Sequence, residues 1–315
     1  MIIKENVLIY DISWLSHSTG RGIIGTFYEP ESKEELTELC RDLYKEGKQF
    51  DLIGHTSNIY FLPNYSVDTM VSTRKVRNVE IFENCIVADC GASVSKLSRQ
   101  MVDEGIKGFE GLIDLPGTVA ASIYGNASCY GCSINELLIS FDVLRPDGSI
   151  VILTKENLKL AKRSSSFKCG EQQGVILSAK LRKEVGNCDA ILEKAEQNHL
   201  KRKSTQPPAQ NNLGSIYCSS SRMTVLGYLL KGLVHVYGLF ERMRGVEKKD
   251  IANRRKSFML SLIGAKDLMP YMYSWNRFIW KDAKAHELFW KFHRKHQLMF
   301  KNSDFEIIIK GNNKN

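Results

Sequence analysis

A chain of 315 residues, 43% hydrophobic and 25% charged, has the makeup of a folded protein with a sizeable core and room for more than one domain. Its 44 Lys and Arg against 35 Asp and Glu leave a net charge of +9, which fits either a solvated basic surface or an anionic partner, a phosphorylated ligand or a nucleic acid. No apolar run is long enough to span a bilayer, the opening MIIKENVLIYDISWL lacks a secretion-signal layout, and the eight Cys suggest no disulfide framework, so the expectation is a cytoplasmic protein with reduced thiols.

In chain order, ESKEELTELCRDLYKEG (31–47) reads as an amphipathic helix, with Ser32 and Glu35 as a capping box and Gly47 as the stop. QFDLIG (49–54) is a short buried strand meeting a Gly turn, and DTMVSTR (68–74) and CIVADCG (85–91) alternate as strands do. A second helix covers 93–105. LLISFDVLRPDGSIVIL (137–153) is a hairpin turning at Pro-Asp-Gly, and GVILSAKLRKE (174–184) is a further strand, followed by a helix ending near Lys203. STQPPAQNNLGS (204–215) breaks the pattern, and beyond it the composition turns helical, aromatic and basic; NNKN is a frayed tail. Helices mixed with hairpins favour α+β over a doubly wound sheet.

The chemistry-bearing stretch is GFEGLIDLPGTVAASIYGNASCYG (108–131), crowded with Gly, Ala, Ser and Asn and holding no Lys or Arg. Side chains this small let a backbone approach a ligand closely. IGHTSNIYF (53–61) supplies a second small-residue loop after a strand, a turn able to aim backbone N–H groups at an anion. The two loops flanking a strand–helix unit can enclose the pyrophosphate of a dinucleotide.

Together these stretches resemble the UDP-N-acetylenolpyruvoylglucosamine reductase (UDP-N-acetylmuramate dehydrogenase) family. The family's GGGSN stands against Gly54-His55-Thr56-Ser57-Asn58, and its GLEGLAGIPGTVGGAIxQNAGAYG against 108–131, with Gly108, Glu110, Gly111, Pro116, Gly117, Thr118, Val119, Asn126, Ala127, Tyr130 and Gly131 retained. AKRSSSFK (161–168) is similar to GYRxSxFK, QPPAQNNLGSIY (206–217) to QPxxxPSAGSVF, and FEIIIKG (305–311) to LxxEVRxxG. The likeness is dense to about 217 and thin beyond.

The resemblance implies an α+β, two-lobed FAD-binding domain of the vanillyl-alcohol-oxidase type followed by a smaller, helix-rich substrate domain. The expected boundaries are 1–203 for the FAD domain, with lobes of about 1–80 and 81–203, and 204–315 for the substrate domain. It implies non-covalent FAD held by Gly54, His55, Thr56, Ser57, Asn58, Pro116, Gly117, Thr118, Ala121, Ser122, Asn126, Tyr130 and Gly131. NADPH or NADH is the implied hydride donor, and the substrate is a small enolpyruvyl nucleotide sugar contacted by Lys203 and Gln206. The catalytic positions are Arg163 to offset carboxylate charge, Ser215 to donate a proton and Glu306 to polarise the enol system. The expected partners are that small molecule and, in a monomer or small homo-oligomer, the chain itself, with no nucleic acid and no membrane span.

Departures concentrate in two places. His55 and Thr56 replace two glycines of the first loop, and Ala120-Ala121 replaces a Gly pair. After Ser215 the usual Asn-Pro gives way to SSS (219–221), Thr205 replaces a Lys, and 243–269 has no family counterpart. Two other readings therefore stay open: a flavoenzyme of the same fold acting on another nucleotide sugar in surface-polysaccharide synthesis, and a basic binding module without catalysis. Cys129-x-x-Cys132, lacking a second pair, reads as small packing residues rather than a metal site, and His293 with His296 as a basic helix face.

Overall fold

The computed structural model describes residues 1–15, 22–207, 210–218 and 222–311. The SSS of 219–221, the NNKN tail and part of the Pro-containing break (208–209) lie outside the described residues. In chain order the elements are β1 (Ile2–Leu8), α1 (Ile9–Ile12), β2 (Ile23–Glu29), α2 (Lys33–Lys45), β3 (Asp51–Ile53), β4 (Ile59–Phe61), β5 (Val67–Ser72), β6 (Val79–Ile81), β7 (Cys85–Asp89), α3 (Val94–Asp103), α4 (Val119–Tyr124), β8 (Ser128–Cys129) and β9 (Cys132–Ser133). They continue with α5 (Ile134–Leu137), β10 (Leu138–Leu144), β11 (Ile150–Leu153), β12 (Val175–Arg182), α6 (Cys188–Thr205), β13 (Arg222–Met223), α7 (Val225–Met243), α8 (Lys248–Leu262), β14 (Met272–Ser274), β15 (Arg277–Phe278), α9 (Ala285–Met299), β16 (Phe300–Lys301) and β17 (Ile308–Lys310).

These elements form two compact units. The first comprises Met1–Trp14, Arg21–Ser57 and Asn64–Gln206, and the second Leu15–Gly20, Asn58–Pro63 and Pro207–Asn315. Among the described residues the first unit holds two larger sheets, besides the two-stranded β8–β9. One has the order β1-β2-β5-β3, antiparallel between β1 and β2 and parallel from β2 through β5 to β3. The other has the order β11-β10-β12-β7-β6 and is antiparallel throughout. The α+β class expected from the sequence is the one that forms.

Local signals explain the elements. Ser32 Oγ accepts the Glu35 N–H at 3.2 Å, capping α2. The apolar stripe of α2, with Leu36, Cys40 and Leu43 buried, packs against Val71 of one sheet and Leu144, Val175 and Leu177 of the other. Burying a side chain such as Leu36 is worth about 1.5–3 kcal/mol, and here it joins two sheets at once. The β10–β11 hairpin turns at Asp147 and Gly148 (φ +83), where Asp147 Oδ1 accepts from Ser149 N at 2.9 Å.

In the second unit, β4 pairs in parallel with β17, bringing Ile59 opposite Ile308. Its core is aromatic: Tyr60, Tyr217, Phe278, Trp280, Phe289 and Phe292 are all fully buried. Of the aromatics of 275–292, Phe278, Trp280, Phe289 and Phe292 are buried, and those of 275–280 belong to a β-hairpin and its exit rather than to a helix.

Candidate active site

The loop after β3 meets the turn before α4 through two glycines. A Cβ built on Gly54 would stand 2.7 Å from Thr118 Oγ1, so only glycine lets the loop close. Gly117 sits at φ +134, a conformation L side chains rarely adopt, and a Cβ there would meet nothing nearer than Ser57 Oγ at 3.8 Å. The 116–118 turn is fastened to its neighbours by Val94 N to Gly117 O (3.1 Å) and Val119 N to Ala92 O (3.0 Å). Thr118 Oγ1 accepts the Ala121 N–H at 3.4 Å, Ser122 is buried and Ala121 is exposed. Ser57, Gly117 and Ala121 thus form a cradle almost bare of side chains.

The two departures in the first loop become intelligible here. Thr56 adopts φ +56, the left-handed conformation for which glycine is suited, so the residue is strained. Its hydroxyl is turned inward, accepting from Trp14 N at 2.8 Å and donating to Ile12 O at 3.3 Å, which offsets the strain and keeps the side chain out of the cradle. Burial pushes the His55 imidazole below its ordinary pKa, and the charges of Arg74 and Lys96 push it the same way. His55 thus lies in the field of Lys96 and of Arg74, which is itself ion-paired with Glu29 at 3.4 Å. Sequence reasoning missed Arg74 and Lys96, because each is brought to the loop by a different element and neither belongs to a motif.

The other motifs converge on the far end of α4. Asn126 donates to Ala161 O at 2.8 Å and accepts from Asn135 Nδ2 at 3.0 Å. Ser165 Oγ donates to Tyr124 O at 2.7 Å. Arg163, at φ +57, donates to Ser128 O (3.0 Å) and Ser128 Oγ (3.2 Å), while Lys168 Nζ donates to Arg163 O at 3.0 Å. Tyr130 (φ +46) and Gly131 (φ +80) form the two-residue turn joining Cys129 to Cys132. The buried Tyr130 hydroxyl has no partner among the described residues, a polar atom a ligand can satisfy, and Lys201 Nζ lies 5.6 Å from its ring centroid.

Cys132 Sγ accepts from Gly111 N at 3.3 Å, and burial raises the pKa of both Cys132 and Cys129. These are thiols held protonated and poorly nucleophilic. Lys203 is exposed near the end of α6, and Gln206 closes that helix through its N–H to Arg202 O at 2.9 Å.

The second unit carries Asn58, Ser215 and Glu306 together. Glu306 N donates to Ile216 O at 2.8 Å, setting the Ser215 segment directly beside the Glu306 segment, and Tyr217 forms a bridge with Phe305. Asn58 Nδ2 donates to Glu306 O at 3.3 Å, and Asn58 O accepts from Ile308 N at 2.9 Å. Gly214 precedes Ser215 at φ +76.

His293 and His296 do not form a basic helix face. His296 is buried with its ring stacked 3.7 Å from that of Tyr217, and burial lowers its pKa to about 4. His293 meets the Tyr217 hydroxyl at 3.0 Å and is lowered by burial as well. The neighbour that buries both rings arrives from more than seventy positions earlier in the chain, beyond the reach of helical periodicity.

Comparison with known proteins agrees with this geometry. Residues 25–154 match the family described as FAD binding domain. Two relatives are a UDP-N-acetylenolpyruvoylglucosamine reductase of Caldicellulosiruptor saccharolyticus, 28% identical over 60% of this chain and 61% of its own, and one of Leuconostoc mesenteroides, 24% identical over 82% of this chain and 86% of its own. The chain thus matches less than two thirds of the length of the first. A solved UDP-N-acetylenolpyruvylglucosamine reductase from Thermus caldophilus shares the fold, with a TM-score of 0.66 at 18% identity over 98% of this chain and 100% of that one.

The match over residues 25–154 marks an FAD-binding flavoprotein. Along its length the chain is similar to the UDP-N-acetylenolpyruvoylglucosamine reductases, in sequence and in fold.

Proposed function

We propose that the protein reduces an enolpyruvyl nucleotide sugar to its lactyl ether, forming UDP-N-acetylmuramate or a close relative of it. The observation that carries this reading is the pairing of the Ser215 and Glu306 segments through Glu306 N and Ile216 O at 2.8 Å, two catalytic positions of the family meeting within one unit.

The cradle fits FAD: Gly54 and Gly117 leave no Cβ in the way, the Tyr130 hydroxyl awaits a partner, and Arg74 and Lys96 supply the field for a diphosphate. Bound there non-covalently, FAD would supply hydride chemistry between a nicotinamide donor and the terminal alkene carbon. The chain's own residues manage the charge and the proton. Arg163, anchored on Ser128, offers a planar guanidinium to the substrate carboxylate, where negative charge grows as the alkene is reduced. Ser215 donates the proton to the carbon next to that carboxylate. A serine hydroxyl is a weak acid, and Glu306 on the adjoining segment helps by polarising the enol system. Lys203 and Gln206 contact the nucleotide diphosphate.

The FAD domain is assigned to 1–203 and the substrate domain to 204–315, with Asn58–Pro63 of the former belonging to the second compact unit. Calorimetry tests the substrate side. UDP and UDP-N-acetylglucosamine should both release measurable heat on binding the FAD-loaded protein, and Lys203→Ala should weaken both alike. If neither nucleotide binds, the nucleotide-sugar reading fails.

A further inference from the structure

The long helix α7 is apolar on both sides. Its inner side packs against α8 and α9: Tyr237 stacks on Phe258 with centroids 4.2 Å apart, and the close approach at Gly227 is to Met299. Its outer side is uncovered. Val225 is 76% exposed, Leu229 63%, Leu233 55%, Val236 64%, Phe240 52% and Met243 79%. At 3.6 residues per turn these six fall within an arc of roughly 80° on one face. The core needs none of them, and a solvent-facing helix normally carries charge there.

Charge fixes the occupant. Exposed Tyr228 (63%) and Leu239 (45%) extend this apolar surface on the Val225 side, and the exposed Lys231, His235 and Arg242 line the edge beyond them, with Arg222 before the helix and Arg244 after it. The only acidic residue of α7, Glu241, points inward and is ion-paired with Arg254 and Arg244. The outer surface is thus an apolar face with a purely cationic margin. A second copy fits it poorly, because antiparallel two-fold pairing of α7 sets the cationic edge against itself. Neither α7 nor any other helix in the described residues is long and apolar enough to cross a membrane.

We propose that α7 is a membrane-surface anchor. It lies flat in the interface of an anionic phospholipid bilayer, with Val225, Leu229, Leu233, Val236, Phe240 and Met243 among the acyl chains and Lys231 and Arg242 on the lipid phosphates. The anchoring does not depend on which sugar the protein reduces.

Sedimentation of the full-length, FAD-loaded chain with vesicles tests this. Vesicles of equal parts phosphatidylcholine and phosphatidylglycerol should carry the protein down, and high salt or pure phosphatidylcholine should release it. The Val236→Glu, Phe240→Glu double variant should stay in the supernatant with its flavin content unchanged. The milder Lys231→Gln, Arg242→Gln pair touches no buried contact and should lower the partition constant about thirtyfold, equivalent to about 1 kcal/mol for each charge. Failure of the wild type to sediment with the mixed vesicles overturns the proposal, as does unaltered binding by the glutamine pair. A stable dimer that the glutamate pair dissolves, without vesicle binding, likewise overturns it and assigns the face to self-association.

Discussion

Gly54→Val should strip the protein of its flavin. The valine Cβ would stand 2.7 Å from Thr118 Oγ1 and 3.1 Å from Thr118 Cγ2, too close for either loop to keep its place. Thr118 cannot easily turn aside, because its hydroxyl accepts the Ala121 N–H at the start of α4. The 54–57 loop must therefore move away from the 116–118 turn, and the cradle between Ser57, Gly117 and Ala121 opens. Overpacking of this kind costs about 1–3 kcal/mol, and where the strain falls on the binding loops it appears as weaker FAD binding, on the order of ten- to a hundredfold. Gly232→Val is the control, since a Cβ at Gly232 meets nothing within 4 Å. Flavin content and FAD affinity, measured by fluorescence on both purified variants, separate the cases. Wild-type affinity in Gly54→Val would mean that the flavin lies elsewhere.

Ser215→Ala should leave FAD binding and flavin reduction by NADPH intact, because neither step needs the hydroxyl. Reoxidation of the reduced enzyme by the enolpyruvyl substrate should slow by roughly 10²–10⁴, the usual loss on removing a general acid. The backbone around Ser215 is held from both sides, with Ile216 N on Asn276 O at 3.0 Å and Ile216 O accepting from Glu306 N at 2.8 Å, so the substitution removes a proton without moving the segment. Ser215→Cys should recover part of the rate, a thiol being the stronger acid. An unchanged reoxidation rate in stopped flow would make Ser215 a turn residue and move the proton donor to another group.

Much of this architecture could be read locally. Ser32 and Ser93 cap α2 and α3 where the sequence places helix starts, and Asp147 with Gly148 turns the hairpin, because caps and tight turns depend on residues within three or four positions. The short parallel pairing of β4 with β17 was not legible: each is a three-residue strand whose partner lies almost at the other end of the chain. The same distance hid the burial of His296 under Tyr217.

The first small-residue loop could be located from its composition, whereas the inward turn of Thr56 could not. Its direction depends on Trp14 N and Ile12 O, which lie more than forty residues away. The composition of α7 was visible as apolar and basic; which of its faces is covered depends on α8 and α9.

Anaerobic single turnover tests the central claim most directly. Protein reconstituted with FAD is bleached with NADPH, freed of nucleotide, and mixed with the enolpyruvyl ether of UDP-N-acetylglucosamine. The flavin colour should return in one phase, with one lactyl ether formed for each flavin reoxidised. Flavin that stays reduced before this substrate, yet reoxidises with a different nucleotide sugar, would contradict the assigned reaction.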